Sequence, residues 1–129
     1  MAAKNQADQE AKTMTEQSLS LSSTELGDIV VDGVGNTVYL FKADAQGESK
    51  CYDDCEQKWP VVGAVASVGD GLDASLLGTN TRTDGSAQAT YNGWPLYLFF
   101  KDASPGDANG QGMNDVWYVV DAQGNAVGA

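Results

Sequence analysis

The chain of 129 residues is long enough for one domain, or for two half-domains that share a core. It carries 7 basic and 18 acidic residues, and the formal net charge of −11 argues against nucleic acid and anionic lipid as partners, because both require Lys and Arg. It has no histidine, so a Ser-His-Asp or Cys-His relay within the chain is excluded and the usual zinc sites are disfavoured.

Residues 1–17 are polar and carry no sustained apolar face. We interpret them as a flexible tether or a remnant of cloning, and we expect residues 18–129 to form a single domain. No apolar run approaches the ~18–20 residues that span a bilayer. The first residues lack both the apolar stretch of a signal peptide and a cysteine that accepts lipid. We therefore expect that the targeting segment of an exported parent protein is missing from this chain.

The first predicted strands lie between residues 19 and 41. Leu19 and Leu21 alternate with serines in the manner of an edge strand. Ile29–Val31 then leads through a glycine-containing turn into Thr37–Phe41, which predicts a β-hairpin.

The second strand of this hairpin carries the pattern Tyr-x-Phe-x-x-Asp. Period two puts Tyr39 and Phe41 on one face of the strand and Leu40 on the other, so both faces are expected to be buried. Asp44 falls where the strand ends, and there its carboxylate would order the next loop by accepting backbone N–H bonds. A buried Tyr39 would also need a hydrogen-bond partner for its hydroxyl group.

The two cysteines follow in a C-x3-C arrangement, and we expect a short helix near Cys51–Trp59. A structural disulfide between Cys51 and Cys55 is the favoured interpretation, with a redox-active pair and free thiols as alternatives. Asp53 and Asp54 lie between the cysteines and disfavour a reactive thiolate.

Two further hairpins are predicted in the second half of the chain. Leu72–Gly78 predicts a turn or helical turn, and Asp84-Gly85 predicts a hairpin turn between two β-rich runs. Asn92-Gly93 favours a second hairpin with a type I′ turn. Tyr91 and Trp94 flank that turn and are expected either to pack in or beside the core or to form an aromatic platform for a ligand such as a sugar.

The second half of the chain repeats the first at a constant offset of 58 residues (97 − 39). The pairs that match at this offset are Tyr39 with Tyr97, Phe41 with Phe99, Asp44 with Asp102, and Trp59 with Trp117. We therefore expect two repeats, at about 29–62 and 87–120, joined by 63–86 and folded around one interior. The fold class predicted is mainly β, a small sandwich or barrel of two pseudo-symmetric repeats with one short helix.

An acidic, glycine-rich loop separates the last two predicted strands. Oxygen-bearing side chains alternate in it as they do in calcium loops, although the twelfth position of the EF-hand template is Tyr118. An ordinary loop built from Asx and Gly turns explains the composition equally well. The residues of a calcium site would be Asp107, Asn109, Gln111 and Asp115. We expect no cofactor, with calcium as the alternative that this loop leaves open.

Both copies of the Tyr-x-Phe-x-x-Asp pattern match Yx(FWY)xxD, and the chain thereby resembles a predicted lipoprotein family described as a secreted repeat of unknown function. The resemblance covers about residues 19–127 and includes Cys51–Cys55, Trp59-Pro60 and Val116-Trp117. It implies export in bacteria or archaea, usually with an N-terminal lipid anchor, and it implies no known activity. Trp94 and Tyr118 stand where relatives often have histidine, so histidine chemistry is not expected in this chain.

The resulting functional hypothesis is a non-enzymatic, extracytoplasmic module, secreted or on the cell surface, that acts in binding or scaffolding. Its expected partner is an envelope protein or a polysaccharide, with membrane contact only through a lipid anchor that this chain lacks. The alternatives are a calcium-binding surface module and a thiol-redox or electron-transfer envelope protein.

Overall fold

The computed structural model describes residues 18–44, 50–63, 65 and 67–128. The expectation for residues 1–17 falls outside this range. In these described parts the fold is mainly β, with two sheets and one short α-helix, as predicted. None of the described helices is long and apolar enough to span a bilayer.

Three strands form the smaller sheet, in the order β2-β1-β4. They are β1 (Ser18–Thr24), β2 (Gly27–Asp32) and β4 (Ser67–Val68). β1 pairs antiparallel with β2 and parallel with β4. The short strand β4 pairs with the second side of β1 at Ser18 and Leu19, so the prediction of an edge strand is wrong at Leu19. Among the described residues, Leu21 pairs only with Val30 of β2.

The larger sheet has five strands among the described residues, in the order β5-β6-β7-β3-β8. They are β3 (Tyr39–Phe41), β5 (Leu77–Thr81), β6 (Ala87–Tyr91), β7 (Trp94–Tyr97) and β8 (Trp117–Val119). Antiparallel bridges from Val31 to Thr37 and from Ile29 to Asp121 continue the pairing from β2 towards this sheet. Residues of both sheets pack together in the buried interior.

The predicted turns lie where the sequence placed them. Tyr91 pairs with Trp94 across Asn92 and Gly93, which have φ angles of 54° and 82°. These positive angles are those of a type I′ turn, which suits the twist of a two-residue hairpin. A hairpin also closes at Asp84-Gly85, and a 3-10 helix at Ala74–Leu76 precedes β5.

The only α-helix in the described segments is α1 (Asp54–Lys58), within the predicted stretch Cys51–Trp59. Acidic residues occupy its first turn and Lys58 its last, which suits the helix dipole. The N–H of Trp59 donates to the carbonyl of Cys55 at the end of the helix. The helix thereby positions Trp59 in the core.

The alternation of side chains along β3 separates two buried clusters. Leu40 belongs to an aliphatic cluster with Leu19, Val30 and Leu96. Tyr39 belongs to an aromatic cluster on the opposite side of the strand. Both faces of β3 are therefore buried, and the repeated aromatic residues all lie in the second cluster.

Candidate functional site

Four rings form a continuous stack, in the order Phe41, Trp117, Trp59, Phe99, which we call the aromatic stack. The two indoles lie 3.7 Å apart between ring centroids at an interplanar angle of 1°. Phe41 stacks on Trp117 at 4.1 Å, and Phe99 stacks on Trp59 at 4.2 Å. Each tryptophan therefore contacts the phenylalanine of the other repeat, and the stack joins the two halves of the chain.

The two tyrosines of the repeated motif pack against the side of the stack with matching geometry. Tyr39 meets Trp59 edge-on at 5.3 Å, and Tyr97 meets Trp117 edge-on at 5.2 Å. Tyr39 and Tyr97 are also directly opposite each other in the antiparallel pairing of β3 with β7. This pairing places the pseudo-symmetry axis between the two tyrosines.

Each tyrosine donates its hydroxyl hydrogen bond to the aspartate of the other repeat. Tyr39 Oη lies 2.6 Å from Asp102 Oδ2, and Tyr97 Oη lies 2.7 Å from Asp44 Oδ2. Hydrogen bonds to a charged acceptor are short and about twice as strong as neutral ones. The tyrosine of each motif therefore has its hydrogen-bond acceptor in the other repeat.

The second oxygen of each aspartate accepts a backbone N–H bond from a residue further along its own repeat. Asp44 Oδ1 accepts from the N–H of Lys50 at 2.7 Å, and Asp102 Oδ1 accepts from the N–H of Asn109 at 2.8 Å. One carboxylate therefore connects a tyrosine of one repeat to a backbone N–H of the other. The backbone N–H bond expected at Asp44 is present, and Asp102 makes the equivalent one.

The two halves differ in the loop that covers the stack. In the first repeat, Cys51 and Cys55 form a disulfide with their Cα atoms 5.2 Å apart, and both pack into the aromatic cluster. In the second repeat, Gly110 donates its N–H to Tyr39 Oη at 3.1 Å. A Cβ atom on Gly110 would lie 2.5 Å from Trp59 Cη2, so the absence of a side chain lets the loop approach the indole.

The single arginine of the chain fixes the disulfide-bearing loop to the second repeat. Arg82 is only 2% exposed, and it donates to Gln88 Oε1 at 3.1 Å, to the carbonyl of Cys51 at 2.6 Å and to Glu56 Oε1 at 2.7 Å. Its guanidinium carbon also lies 4.1 Å from the centroid of the Tyr52 ring. Sequence reasoning missed this residue, although the isolation of one arginine in a strongly acidic chain is a usable signal.

The sequence matches the family described as a secreted repeat of unknown function twice, at residues 20–63 and 78–121. The chain belongs to this family. The two matched segments begin and end 58 positions apart (78 − 20 and 121 − 63), the offset found between the repeated motifs. Neither the curated proteins nor the solved structures contain a significant match.

Membership of the secreted-repeat family confirms the predicted extracytoplasmic location and the tandem organisation. Both matched segments contain a complete Tyr-x-Phe-x-x-Asp motif. Because the tyrosine of each motif bonds to the aspartate of the other copy, the two repeats of this chain depend on each other structurally.

In the acidic loop of this family member, side-chain oxygens of Asp107 and Gln111 accept hydrogen bonds from the chain itself. Asp107 Oδ2 accepts from the N–H groups of Ala103 and Ser104, and Gln111 Oε1 accepts from the N–H of Val119. Asn109 donates from its side chain to the carbonyl of Lys101. Asp115 is exposed and has a φ of 61°. Over the described residues no group of three or more Cys, Asp or Glu side chains is arranged to hold a metal ion.

The burial of Tyr91 contradicts the predicted aromatic platform at the second hairpin. Tyr91 is fully buried, and its hydroxyl accepts from the N–H of Asp73 and donates to the carbonyl of Ala122. Trp94 is half-buried against the aliphatic cluster. A ligand cannot stack on Tyr91, so a platform formed by both rings is wrong.

The carboxyl group of Asp44 is 5% exposed, and this burial raises its pKa to about 6. The hydrogen bonds from Tyr97 and from the N–H of Lys50, together with the charge of Arg82, oppose the rise. Burial also raises the pKa of Tyr39, and the hydrogen bond to Asp102 adds to that rise. Neutral tyrosine is thus the stable form beside its carboxylate.

The raised pKa of Asp44 predicts a stability change between about pH 6 and pH 4. In this window the folded chain binds the Asp44 proton more tightly than the unfolded chain does, so this group stabilises the fold as the pH falls and the gain levels off near pH 4. A two-unit shift corresponds to at most about 3 kcal/mol. Urea unfolding at several pH values should show that, as the pH falls from 6 to 4, the free energy of unfolding gains less in Asp44→Asn than in the wild type.

Asp102→Asn is the matched control, because it removes the equivalent tyrosine bond in the other half of the molecule. We expect it to retain the stability gain below pH 6 that Asp44→Asn loses. Equal pH profiles for wild type and Asp44→Asn would contradict the assignment of this titration to Asp44.

Proposed function

We propose that this secreted repeat is a non-enzymatic binding module, and that its docking site is a surface groove beside the β1–β2 turn. The observation that carries the proposal is a groove of about 500 Å3 whose wall includes the exposed side chain of Leu26. Leu26 is 38% exposed, whereas the repeated motif residues are directed into the interior. Binding by this module therefore uses its loops, and the motif provides the rigid frame.

The groove combines apolar side chains with an acidic residue. Leu26 and Ala108 supply accessible apolar surface over the buried Ile29, and Glu25 is the acidic residue among the described lining residues. Asp107 lies in the chain between two further lining positions, Gly106 and Ala108. Apolar surface beside a negative charge suits an occupant that carries a positive charge and an apolar side chain.

The occupant we propose is an extended, basic segment of a partner protein. The net charge of −11 favours and steers such a segment. No aromatic ring is present among the described lining residues, which argues against a polysaccharide, since sugars are commonly held by stacking on rings. Burying a fully exposed leucine side chain contributes about 1.5–3 kcal/mol, and Leu26 is 38% exposed before binding. The gain on docking is therefore about 0.6–1.1 kcal/mol, which corresponds to about a three- to sevenfold change in affinity.

The test uses a short fluorescent peptide of alternating Lys and Leu, and its affinity is measured by anisotropy at low and high salt. We expect the wild type to bind this peptide, and Leu26→Ser to weaken binding by about three- to sevenfold. Val34→Ser is the matched control, because Val34 is 41% exposed but lies on another turn, outside the groove.

Two further probes separate specific docking from other outcomes. A Lys-Ser peptide of equal charge should bind much more weakly than the Lys-Leu peptide. Equal binding of the two peptides, or equal affinity of wild type and Leu26→Ser, would reduce the interaction to charge attraction and overturn the proposal. Binding to a neutral polysaccharide in place of the peptide would overturn it as well.

A further inference from the structure

The aromatic stack places the two most easily oxidised kinds of ring side chain in direct contact. Trp59 and Trp117 are 3.7 Å apart and parallel, an arrangement that spreads a positive charge over both indoles. Tyr39 and Tyr97 meet these indoles edge-on at 5.3 Å and 5.2 Å. Each element of the arrangement occurs twice, at equivalent positions of the two repeats.

Each tyrosine also has a proton acceptor at hydrogen-bond distance. The phenol of Tyr97 lies 2.7 Å from a carboxylate oxygen of Asp44, and that of Tyr39 lies 2.6 Å from Asp102. A phenol that loses an electron becomes a very strong acid, so a carboxylate at this distance accepts its proton at once. Without such an acceptor, a buried phenol would have to form a costly cation radical.

We propose that the stacked tryptophans and the two tyrosine–carboxylate pairs form a redox-active unit that accepts the charge of a one-electron oxidant and stores it as a tyrosyl radical. The electron balance is complete. One electron leaves a tryptophan for the oxidant, the adjacent tyrosine returns one electron to the tryptophan cation radical, and the phenol proton moves to the aspartate. The products are a neutral tryptophan, a tyrosyl radical, a carboxylic acid and the reduced oxidant.

The surroundings favour the radical and a route to it. Tyr39 Oη accepts the N–H of Gly110, and the protonated Asp102 would donate to the same oxygen, so the radical oxygen keeps two hydrogen bonds. The tryptophans are 3–4% exposed, which shields them from water. Phe100 is 52% exposed and contacts Phe99 at the end of the stack, which provides a point of approach for an oxidant.

The third tryptophan allows a clean experiment. Trp94 packs in the aliphatic cluster, so Trp94→Phe leaves the stacked pair as the sole tryptophans of the chain. In this background, a laser flash with a ruthenium polypyridyl sensitiser and persulfate generates a one-electron oxidant. Transient absorption then follows the tryptophan and tyrosyl radicals separately. We expect the tryptophan signal to decay as a tyrosyl signal rises, and this conversion to be slower in D2O, because a proton moves with the electron.

Removal of the phenols or of their acceptors should interrupt the conversion. In Tyr39→Phe/Tyr97→Phe the tryptophan radical should persist and the tyrosyl signal should be lost, and in Asp44→Asn/Asp102→Asn the conversion should slow. Tyr118→Phe is the matched control and should behave as its parent does. Near-ultraviolet circular dichroism checks that each variant keeps its packing.

The measurement in D2O needs no change to the motif, so the proposal stays testable even where a motif variant fails to fold. A tryptophan radical that decays identically with and without Tyr39 and Tyr97, or a conversion with no solvent isotope effect, would overturn the proposal. Neither result bears on the docking groove, whose residues lie outside the aromatic stack.

Discussion

Replacement of Trp59 or of Trp117 by alanine is expected to lower the free energy of unfolding by about 3–5 kcal/mol for each substitution. Both indoles are almost fully buried, and each one is stacked between two other rings. Alanine would leave a large cavity in the middle of the stack, and it would remove the aromatic contacts beyond the loss of buried area. Equilibrium unfolding in urea or guanidinium measures the change.

The double variant provides the sharper result. Because the two tryptophans contact each other, the loss in Trp59→Ala/Trp117→Ala should be smaller than the sum of the single losses. Trp94→Ala is the control, and its half-buried position outside the stack predicts a smaller effect and additive behaviour with either substitution. Full additivity of the stacked pair, or a loss below about 1.5 kcal/mol for either single variant, would contradict the stacked geometry.

Arg82→Met is expected to destabilise the protein by about 3 kcal/mol. The substitution keeps most of the length and apolar volume of the side chain but removes every donor. Two buried acceptors, the Cys51 carbonyl and Gln88 Oε1, would then lose their arginine hydrogen bonds. Glu56 is less affected, because its side chain is 38% exposed and water can replace the arginine.

Arg82→Lys separates the charge from the geometry of the guanidinium group. Lysine keeps the positive charge but cannot donate in a fork, so an intermediate loss of stability is expected in thermal or urea unfolding. Lys101→Met is the surface control and should lie within about 0.5 kcal/mol of wild type. An Arg82→Met variant as stable as wild type would show that the hydrogen bonds of Arg82 contribute little.

Much of the fold followed from local chemistry and from the repeat. Asn92-Gly93 predicts its hairpin because few other residue pairs adopt two successive positive φ angles. The alternation of Tyr39, Leu40 and Phe41 predicts a strand buried on both faces. The constant offset between Trp59 and Trp117 predicts equivalent places for the two copies, and the structure shows them in direct contact.

Other features depend on long-range geometry that no local pattern encodes. Tyr39 requires an acceptor on any reading of the sequence, but Asp44 of its own motif and Asp102 of the other are equally good candidates until the pairing of β3 with β7 is known. Tyr91 lies beside a predicted turn, where an exposed aromatic side chain is common. Its hydroxyl is held inside by a hydrogen bond to the carbonyl of Ala122, which is distant in sequence. Arg82 contacts groups 26 and 31 positions away in the chain.

The crossed bonds between Tyr39 and Asp102 and between Tyr97 and Asp44 constrain how such proteins are assembled. One copy in isolation would hold a phenol with no carboxylate to receive its proton and a carboxylate with no phenol to bind. A polypeptide with a single copy would complete itself only by associating with another molecule of its own kind. In this chain the connecting residues hold both copies on one polypeptide, so their association does not depend on protein concentration.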